Sequence, residues 1–282
     1  MRINTNIASM NAQEASTNVN KALNASLEKL SSGLRINKAS DDASGLAIAD
    51  KLRTQANSIG QAVSNGNSAI SLTQIADKAM GEQSNILDIV KQKLIQAGTA
   101  TTSSEGREAI RKDVNKLLTQ LDNIAKQTNY NGISLLAASS DGTGAATAKT
   151  FLMGEKSGNT IAVDSGVQAN TSGLALASLK AYGTNSLGTS EALNGLEVID
   201  SALNTLNGWR ADFGSTQNQL EAAMRNMMTQ RTNIKAAESV IRDVDYAAES
   251  ANFNKQNIIA QAGTYAMSQA NTIQQNVMRL LQ

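Results

Sequence analysis

The chain has 282 residues, 41% of them hydrophobic but only 3% aromatic, and a net charge of +1 from 25 basic and 24 acidic side chains. That balance leaves no electrostatic footprint for nucleic acid or an acidic substrate. Histidine and cysteine are both absent, which excludes a Cys–His nucleophile, a Ser–His–Asp triad, thiolate metal sites and disulfides, and nothing implies a metal or cofactor.

With no proline in the chain, the strongest helix breaker is missing. The first predicted helix runs from about Asn4 to Ser32 and stops at Gly33. Its apolar residues Ile3, Ile7 and Met10, then Val19, Leu23, Leu27, Leu30 and Leu34, step by threes and fours. This stretch lacks the basic start, unbroken apolar run and small-residue cleavage site of a signal peptide. After a polar connector, Asp41 and Asp42 offer N-caps to a long helix. Its stripe is Ile48, Leu52, Ile59, Val63, Ile70, Leu72, Ile75, Met80, Leu87 and Leu94, and it ends at Gly98. Ser103 or Ser104 caps a third helix with the stripe Ile110, Val114, Leu117, Leu121 and Ile124. Asn129-Tyr130-Asn131-Gly132 then reads as a turn. Asn65-Gly66 and Asn207-Gly208 also argue locally for turns, but the apolar beat crosses both, so helix is expected there.

From Ala137 to Ser190 the chain is rich in Gly, Ser, Thr and Ala and has no helical period. Within it, Thr150–Met153 and Thr160–Val163 flank a polar loop and read as a β-hairpin. From about Glu191 a helical pattern returns and is expected to hold to Gln282. Ile199, Leu206, Phe213, Leu220, Met227, Ile234 and Ile241 lie one heptad apart, a period that keeps its stripe on one face only if the helix wraps along another helix. The beat slips by four residues and resumes as Ile259, Ala266, Ile273 and Leu280, with Val277 beside it. The uncharged run Gln256–Met278 has the length of a membrane span. Its eight Gln and Asn side chains would enter hydrocarbon without partners, so no membrane insertion is expected.

These elements predict a mainly α fold, an elongated antiparallel helical bundle or coiled coil with its terminal helices paired and a small β-hairpin in the middle region. Pairing buries only one side of each terminal helix, so the ends are expected to be mobile in a lone monomer and ordered when copies surround them. A self-complementary contact that does not close generates a helical filament. The smaller features read blandly. Asp41-Asp42 is a capping pair, Met224, Met227 and Met228 pack a seam, Trp209-Arg210 is an exposed or interface pair, and Arg2, Lys21, Lys29 and Arg35 are candidates for weak inter-subunit bridges. Asn24-Ala25-Ser26 and Asn170-Thr171-Ser172 match an N-glycosylation pattern that is mostly met by chance.

Longer strings are more specific. Met1-Arg2-Ile3-Asn4-Thr5-Asn6, Leu30-Ser31-Ser32-Gly33-Leu34-Arg35-Ile36-Asn37 with Asp41-Asp42-Ala43-Ser44-Gly45, Arg210 to Leu220, Ser268-Gln269-Ala270-Asn271 and Gln275-Asn276-Val277 together resemble bacterial flagellin closely. The resemblance implies a secreted, extracellular subunit that polymerises into the flagellar filament for swimming, and no enzyme. By the same resemblance, residues 1–42 and 243–282 form a coiled-coil inner-tube domain, 43–136 and 191–242 a helical rod, and 137–190 a variable outer region. It implies unfolded export through a type III apparatus with a recognition region over Ser26–Ala47. Its implied partners are further copies of the chain, an export chaperone on the C-terminal helix, and filament cap and junction proteins. The hairpin near 150–163 is similar to an element proposed to switch between two protofilament packings.

Many flagellins carry an Arg and a Leu that the vertebrate innate receptor reads; here Ile89 and Lys93 stand at the matching positions, so weak activation is expected, similar to flagellins of epsilon-type bacteria. Related flagellins carry O-linked sugars, for which Ser139, Ser140, Thr143, Ser172, Ser178, Thr184, Ser186 and Thr189 are candidates. The alternatives are a hook–filament junction protein, against which the match at both ends argues, and a membrane pore, which the amides disfavour. A zinc-protease insert of the kind some flagellins carry needs His-Glu-x-x-His, and this chain has no histidine.

Overall fold

A computed structural model describes residues 5–137, 144–163, 166–181 and 188–280. Among the described residues six helices and four strands follow in chain order: α1 (Ile7–Ser32), α2 (Ala43–Gly98), α3 (Ser104–Gln127), β1 (Asn129–Tyr130), β2 (Ile133–Ser134), β3 (Lys149–Leu152), β4 (Thr160–Val163), α4 (Ala177–Ala181), α5 (Thr189–Arg242) and α6 (Tyr246–Leu280). The fold is mainly α, with two small antiparallel strand pairs, β1–β2 and β3–β4.

Local chemistry sets the boundaries. The Asn6 side chain accepts from Ser9 N at the start of α1, and Gly33 ends it in the left-handed conformation, φ 73. Asp42 Oδ1 accepts from Gly45 N at the start of α2, and Asp41 Oδ2 accepts from the Asn37 and Lys38 amides of the preceding turn. Those two amides hold the Asp41 carboxyl below its ordinary range. Ser103 Oγ caps α3 through Gly106 N.

The helical pattern does not hold unbroken to Gln282. It is interrupted at Asp243–Asp245, where the apolar beat slips by four. Asp245 Oδ1 accepts from the Ala247 and Ala248 amides and starts α6 afresh. Both connectors meet there: Arg35 N donates to Arg242 O and Val244 N to Gly33 O.

The chain divides into two compact units, 1–56 with 232–282, and 57–231. In the second, buried positions of α2 alternate three and four residues apart: Ile59, Ala62, Gly66, Ala69, Thr73, Ala76, Met80, Gln83, Leu87, Val90, Leu94 and Ala97. This is a coiled-coil seam in which Ala62, Gly66, Ala69, Thr73, Ala76 and Ala97 are small and the other six positions larger. α5 answers with Ala192, Gly195, Ile199, Ala202, Leu206, Phe213, Leu220, Met224 and Met227. Antiparallel pairing is fixed by Lys91 with Asp200, Arg210 Nε to Asp77 Oδ1 at 2.9 Å, and Arg231 packed over Gly60. α3 adds Ile110, Val114, Leu118, Leu121 and Ala125; Leu118, rather than the expected Leu117, takes the core position. Met228 is half exposed and lies off the seam that Met224 and Met227 pack.

The expected turn after α3 is a two-residue hairpin, with Asn131 and Gly132 at φ 50 and 78. The middle region is more than an outer surface. Val167, Ala169, Leu174, Leu176 and Leu179 join the core, and Gln83 donates to both Leu121 O and Ala169 O. Asp122 on α3 accepts from Thr171 N, Thr171 Oγ1 and Lys180 Nζ, at 2.8, 3.0 and 2.8 Å. Sequence patterning misses this strap because its apolar residues follow no helical or strand period.

Candidate functional site

The two terminal helices lie antiparallel within the first unit. Asn6 Nδ2 donates to Ala270 O at 3.2 Å, Ser26 Oγ donates to Glu249, and Leu34 bridges to Asp243, so the partner numbers fall as the chain numbers rise. The covered residues of α1 are Ser9, Ala12, Ser16, Val19, Leu23, Ser26 and Leu30, and those of α6 are Phe253, Gln256, Ala260, Gly263, Met267 and Ala270. Both sets alternate three and four apart; Glu249 extends the α6 set by one step and accepts from Ser26, and Ala22, Glu28 and Lys29 of α1 are also partly covered. The seam is mostly small and polar, so the backbones approach closely but little apolar area is removed from water.

Beside Val19, Leu23, Leu30, Phe253 and Met267 of the seam, other large apolar side chains point elsewhere. Ile7, Met10 and Leu27 on α1 are more than half exposed, at 58%, 60% and 53%. On α6, Ile258 (67%), Ile259 (40%), Tyr265 (75%) and Ile273 (55%) are exposed, as is Ala266. The beat read from the sequence is therefore not the face that α6 turns toward α1. Counting large apolar residues found the outward stripe of α6 and, on α1, outward Ile7, Met10 and Leu27 together with the seam residues Val19, Leu23 and Leu30; the missed signal was the three–four spacing of Ala, Ser and Gly between them. Val19, Leu23, Leu30 and Leu34 are half buried. Ile3 and the side chains of Val277 and Leu280 lie outside the described residues.

Of the α5 heptad, Ile199, Leu206, Phe213, Leu220 and Met227 are buried in the central unit, and Ile234 and Ile241 are half buried in the terminal one. Arg35, a candidate for an inter-subunit bridge, is used within the chain: its Nε and Nη2 donate to Ile241 O at 3.2 and 2.6 Å, covering the carbonyl end of α5. Lys38 pairs with Glu28 at 2.6 Å, and that hydrogen bond and charge raise the ammonium's pKa. Ile89 is exposed, at 43%, and Lys93 Nζ lies 3.3 Å from Asp113 Oδ2. Ser172 and Ser178 are exposed, and Thr189 is half buried at the first turn of α5; Ser139, Ser140, Thr143, Thr184 and Ser186 lie outside the described residues. Asn170, of the second glycosylation pattern, is buried, with its carboxamide oxygen accepting from Gly173 N.

Among the described residues no helix is long and apolar enough to cross a membrane. The terminal unit is thus two long helices lying along one another with Ile7, Met10, Leu27, Ile258, Tyr265 and Ile273 turned to solvent.

Comparison with known proteins agrees. Residues 3–141 match the bacterial flagellin N-terminal helical region, and residues 196–281 the bacterial flagellin C-terminal helical region. The chain is 36% identical to the flagellin of Bacillus subtilis and 34% identical to the flagellar filament 33 kDa core protein of Treponema phagedenis, each over 100% of both chains. Among solved structures, Bacillus cereus flagellin is 28% identical with a TM-score of 0.50, covering 62% of this chain and 94% of that one. A flagellar hook-associated protein of Vibrio parahaemolyticus has a TM-score of 0.59 at 13% identity, covering 72% and 99%, which is a likeness of fold. The chain belongs to the bacterial flagellin family, the structural subunits of the extracellular flagellar filament.

Proposed function

We propose that this chain polymerises through the outward faces of α1 and α6, and that copies of itself cover Ile7, Met10, Leu27, Ile258, Ile259, Tyr265, Ala266 and Ile273. The observation that carries this reading is the set of large apolar side chains that α1 and α6 leave in water, Ile7, Met10, Leu27, Ile258, Tyr265 and Ile273. Burying a Leu- or Ile-sized side chain returns about 1.5–3 kcal/mol, so each copy added recovers what the monomer leaves unburied. A head-to-tail contact of that kind extends without closing. Residues 1–42 with 243–282 serve as the inner, assembling domain, 43–136 with 191–242 as the rod, and 137–190 as the outer region that carries the hairpin.

The remaining partners follow from the same surface. Before assembly the outward stripe of α6 is an aggregation hazard, and an export chaperone that holds it is the matching device. Cap and junction proteins meet the same face at the filament ends. At the receptor-facing positions, exposed Ile89 supplies no cation, and Lys93 places one beside Asp113, so the innate receptor is engaged weakly. A cell reporter exposed to purified monomer reads this directly, and full potency refutes it. Exposed Ser172 and Ser178 are the O-glycosylation positions retained, checked by the mass of peptides from native filaments.

The test of assembly pairs Ile258→Ser with Tyr265→Ser and compares Asn254→Ser, an exposed polar position on the same helix. The double variant keeps the monomer's helicity and loses filament elongation in light scattering and negative-stain microscopy, while Asn254→Ser elongates normally. Elongation of the double variant at the parent rate overturns the proposal.

A further inference from the structure

We propose that Asn131 is a site of spontaneous deamidation, which makes the β1–β2 turn a chemical record of the age of each subunit. The sequence holds four Asn-Gly pairs, at Asn65, Asn131, Asn194 and Asn207. A glycine after asparagine leaves its backbone nitrogen unshielded by a Cβ, so that nitrogen can attack the carboxamide carbon of the preceding side chain. Three of the pairs lie inside α2 and α5, where the glycine N–H donates along the helix and the backbone is held in the helical conformation. Ring closure there requires the helix to open first.

Asn131 is different in every respect that matters. It is exposed and occupies the first position of a two-residue turn, with φ 50. Gly132 follows at φ 78, and beyond its two chain neighbours no heavy atom lies within 4 Å of where its Cβ would be, so nothing from elsewhere in the fold crowds this glycine. The strand ladder pairs Tyr130 with Ile133 and leaves Gly132 N outside it. No backbone carbonyl among the described residues accepts from that nitrogen.

The step balances without a co-reactant other than water. Gly132 N bonds to Asn131 Cγ, the Cγ–Nδ2 bond breaks, and the amide proton leaves with the nitrogen as ammonia. Water then opens the cyclic imide at either carbonyl to give aspartate or isoaspartate. Loss of the amide proton initiates the attack, so the rate rises with pH. Either product adds one negative charge. Isoaspartate also lengthens the backbone by one atom in a turn whose flanking Tyr130 packs against the core, so the hairpin loosens as the subunit ages.

Peptide mapping of monomer and of assembled filaments, incubated at mildly alkaline pH with isoaspartate detected by enzymatic methylation, tests this. Residue 131 converts at least about tenfold faster than residues 65, 194 and 207 in the folded protein, since helix opening gates those three. In denaturant the four rates come together. Asn131→Gly, which suits a positive φ, abolishes the fast conversion. A folded protein in which Asn131 reacts no faster than the helical pairs, or an Asn131→Gly variant that keeps the fast phase, overturns the proposal.

Discussion

Met224 occupies the space that a Cβ on Gly66 would take. Its Cγ and Sδ both lie 2.8 Å from that position, as does Cε of Met153 from the β-hairpin. An Asn-Gly pair in mid-helix is a turn signal in isolation, and here it is a seat. Gly66 lies on the buried seam of α2, while its neighbour Asn65 donates from Nδ2 to Leu152 O at 3.3 Å. One residue makes room for the hairpin and the next ties it down.

Replacing Gly66 by Ala therefore sets two effects against each other. Alanine gains about 0.5–1 kcal/mol in a helix interior, but displacing two packed methionines costs about 1–3 kcal/mol. The balance is a loss, read as a lower Tm. Gly208→Ala in α5 meets nothing within 4 Å and should gain the helical term alone, raising Tm. If both variants move Tm the same way, Met153 and Met224 are not seated on Gly66 as tightly as described.

Asp122 is the anchor of the strap that crosses α3. Burial raises its pKa, but the ammonium of Lys180 and the amide and hydroxyl of Thr171 together outweigh that and leave the carboxyl below its ordinary value. A depressed folded pKa gives stability that is present above the unfolded value and lost as pH falls through the folded one. Asp122→Asn should cost about 1–2 kcal/mol near neutral pH, toward the low end because Lys180 is half exposed. The Tm curves of parent and variant should converge in acid below the ordinary carboxylate range. A gap between them that is independent of pH would mean that the carboxylate charge is not what holds the strap.

Arg35 closes the end of α5 by donating twice to Ile241 O. Loss of the fork in Arg35→Ala should cost about 1–2 kcal/mol locally, so hydrogen exchange of the amides around Asp243–Tyr246 should quicken by about tenfold. Lysine cannot reproduce two donors from one planar group, and Arg35→Lys should restore little. Full protection in either variant would assign the closure to the backbone pair Leu34–Asp243 alone.

Most of the helix boundaries were legible because each rests on a short, local chemistry: Ser103 before a charged first turn, Asp42 before Gly45, Gly33 at a left-handed cap. The α5 heptad was legible because its seam residues, Ile199 to Met227, are large. The seams of α1 and α2 were legible only where they use large residues such as Leu23, Leu30, Met80, Leu87 and Leu94, and that of α6 was not, since alanine, serine and glycine at Ala12, Ser16, Ala62, Ala69, Ala260 and Gly263 carry no hydropathy signal. Nor was the strap, in which Thr171 and Leu176 depend on Asp122 and Gln83 from distant helices. Arg35 looks like a surface cation until Ile241 O is placed beside it.

The contrast between the two seams leads to the last expectation. Inside the central unit, α2 and α5 meet through Leu87, Leu94, Ile199, Leu206 and Leu220, each fully buried. α1 and α6 meet through Ala12, Ser16, Ala260 and Gly263 beside Val19, Leu23, Leu30, Phe253 and Met267, which are only half buried, and removal of a methyl-sized area returns only about 0.8 kcal/mol per buried CH₂. In dilute monomer the amides of α1 and α6 should therefore exchange at least about a hundredfold faster than those of α2 and α5 in the central unit. In the filament, with Ile258, Tyr265 and Ile273 covered, the gap should close. Truncation after Ile273 should leave the melting of the central unit unchanged while stopping polymerisation. Equal protection of both helix pairs in the monomer would show that the thin seam suffices by itself, and the ordering of the ends could no longer be assigned to neighbouring subunits.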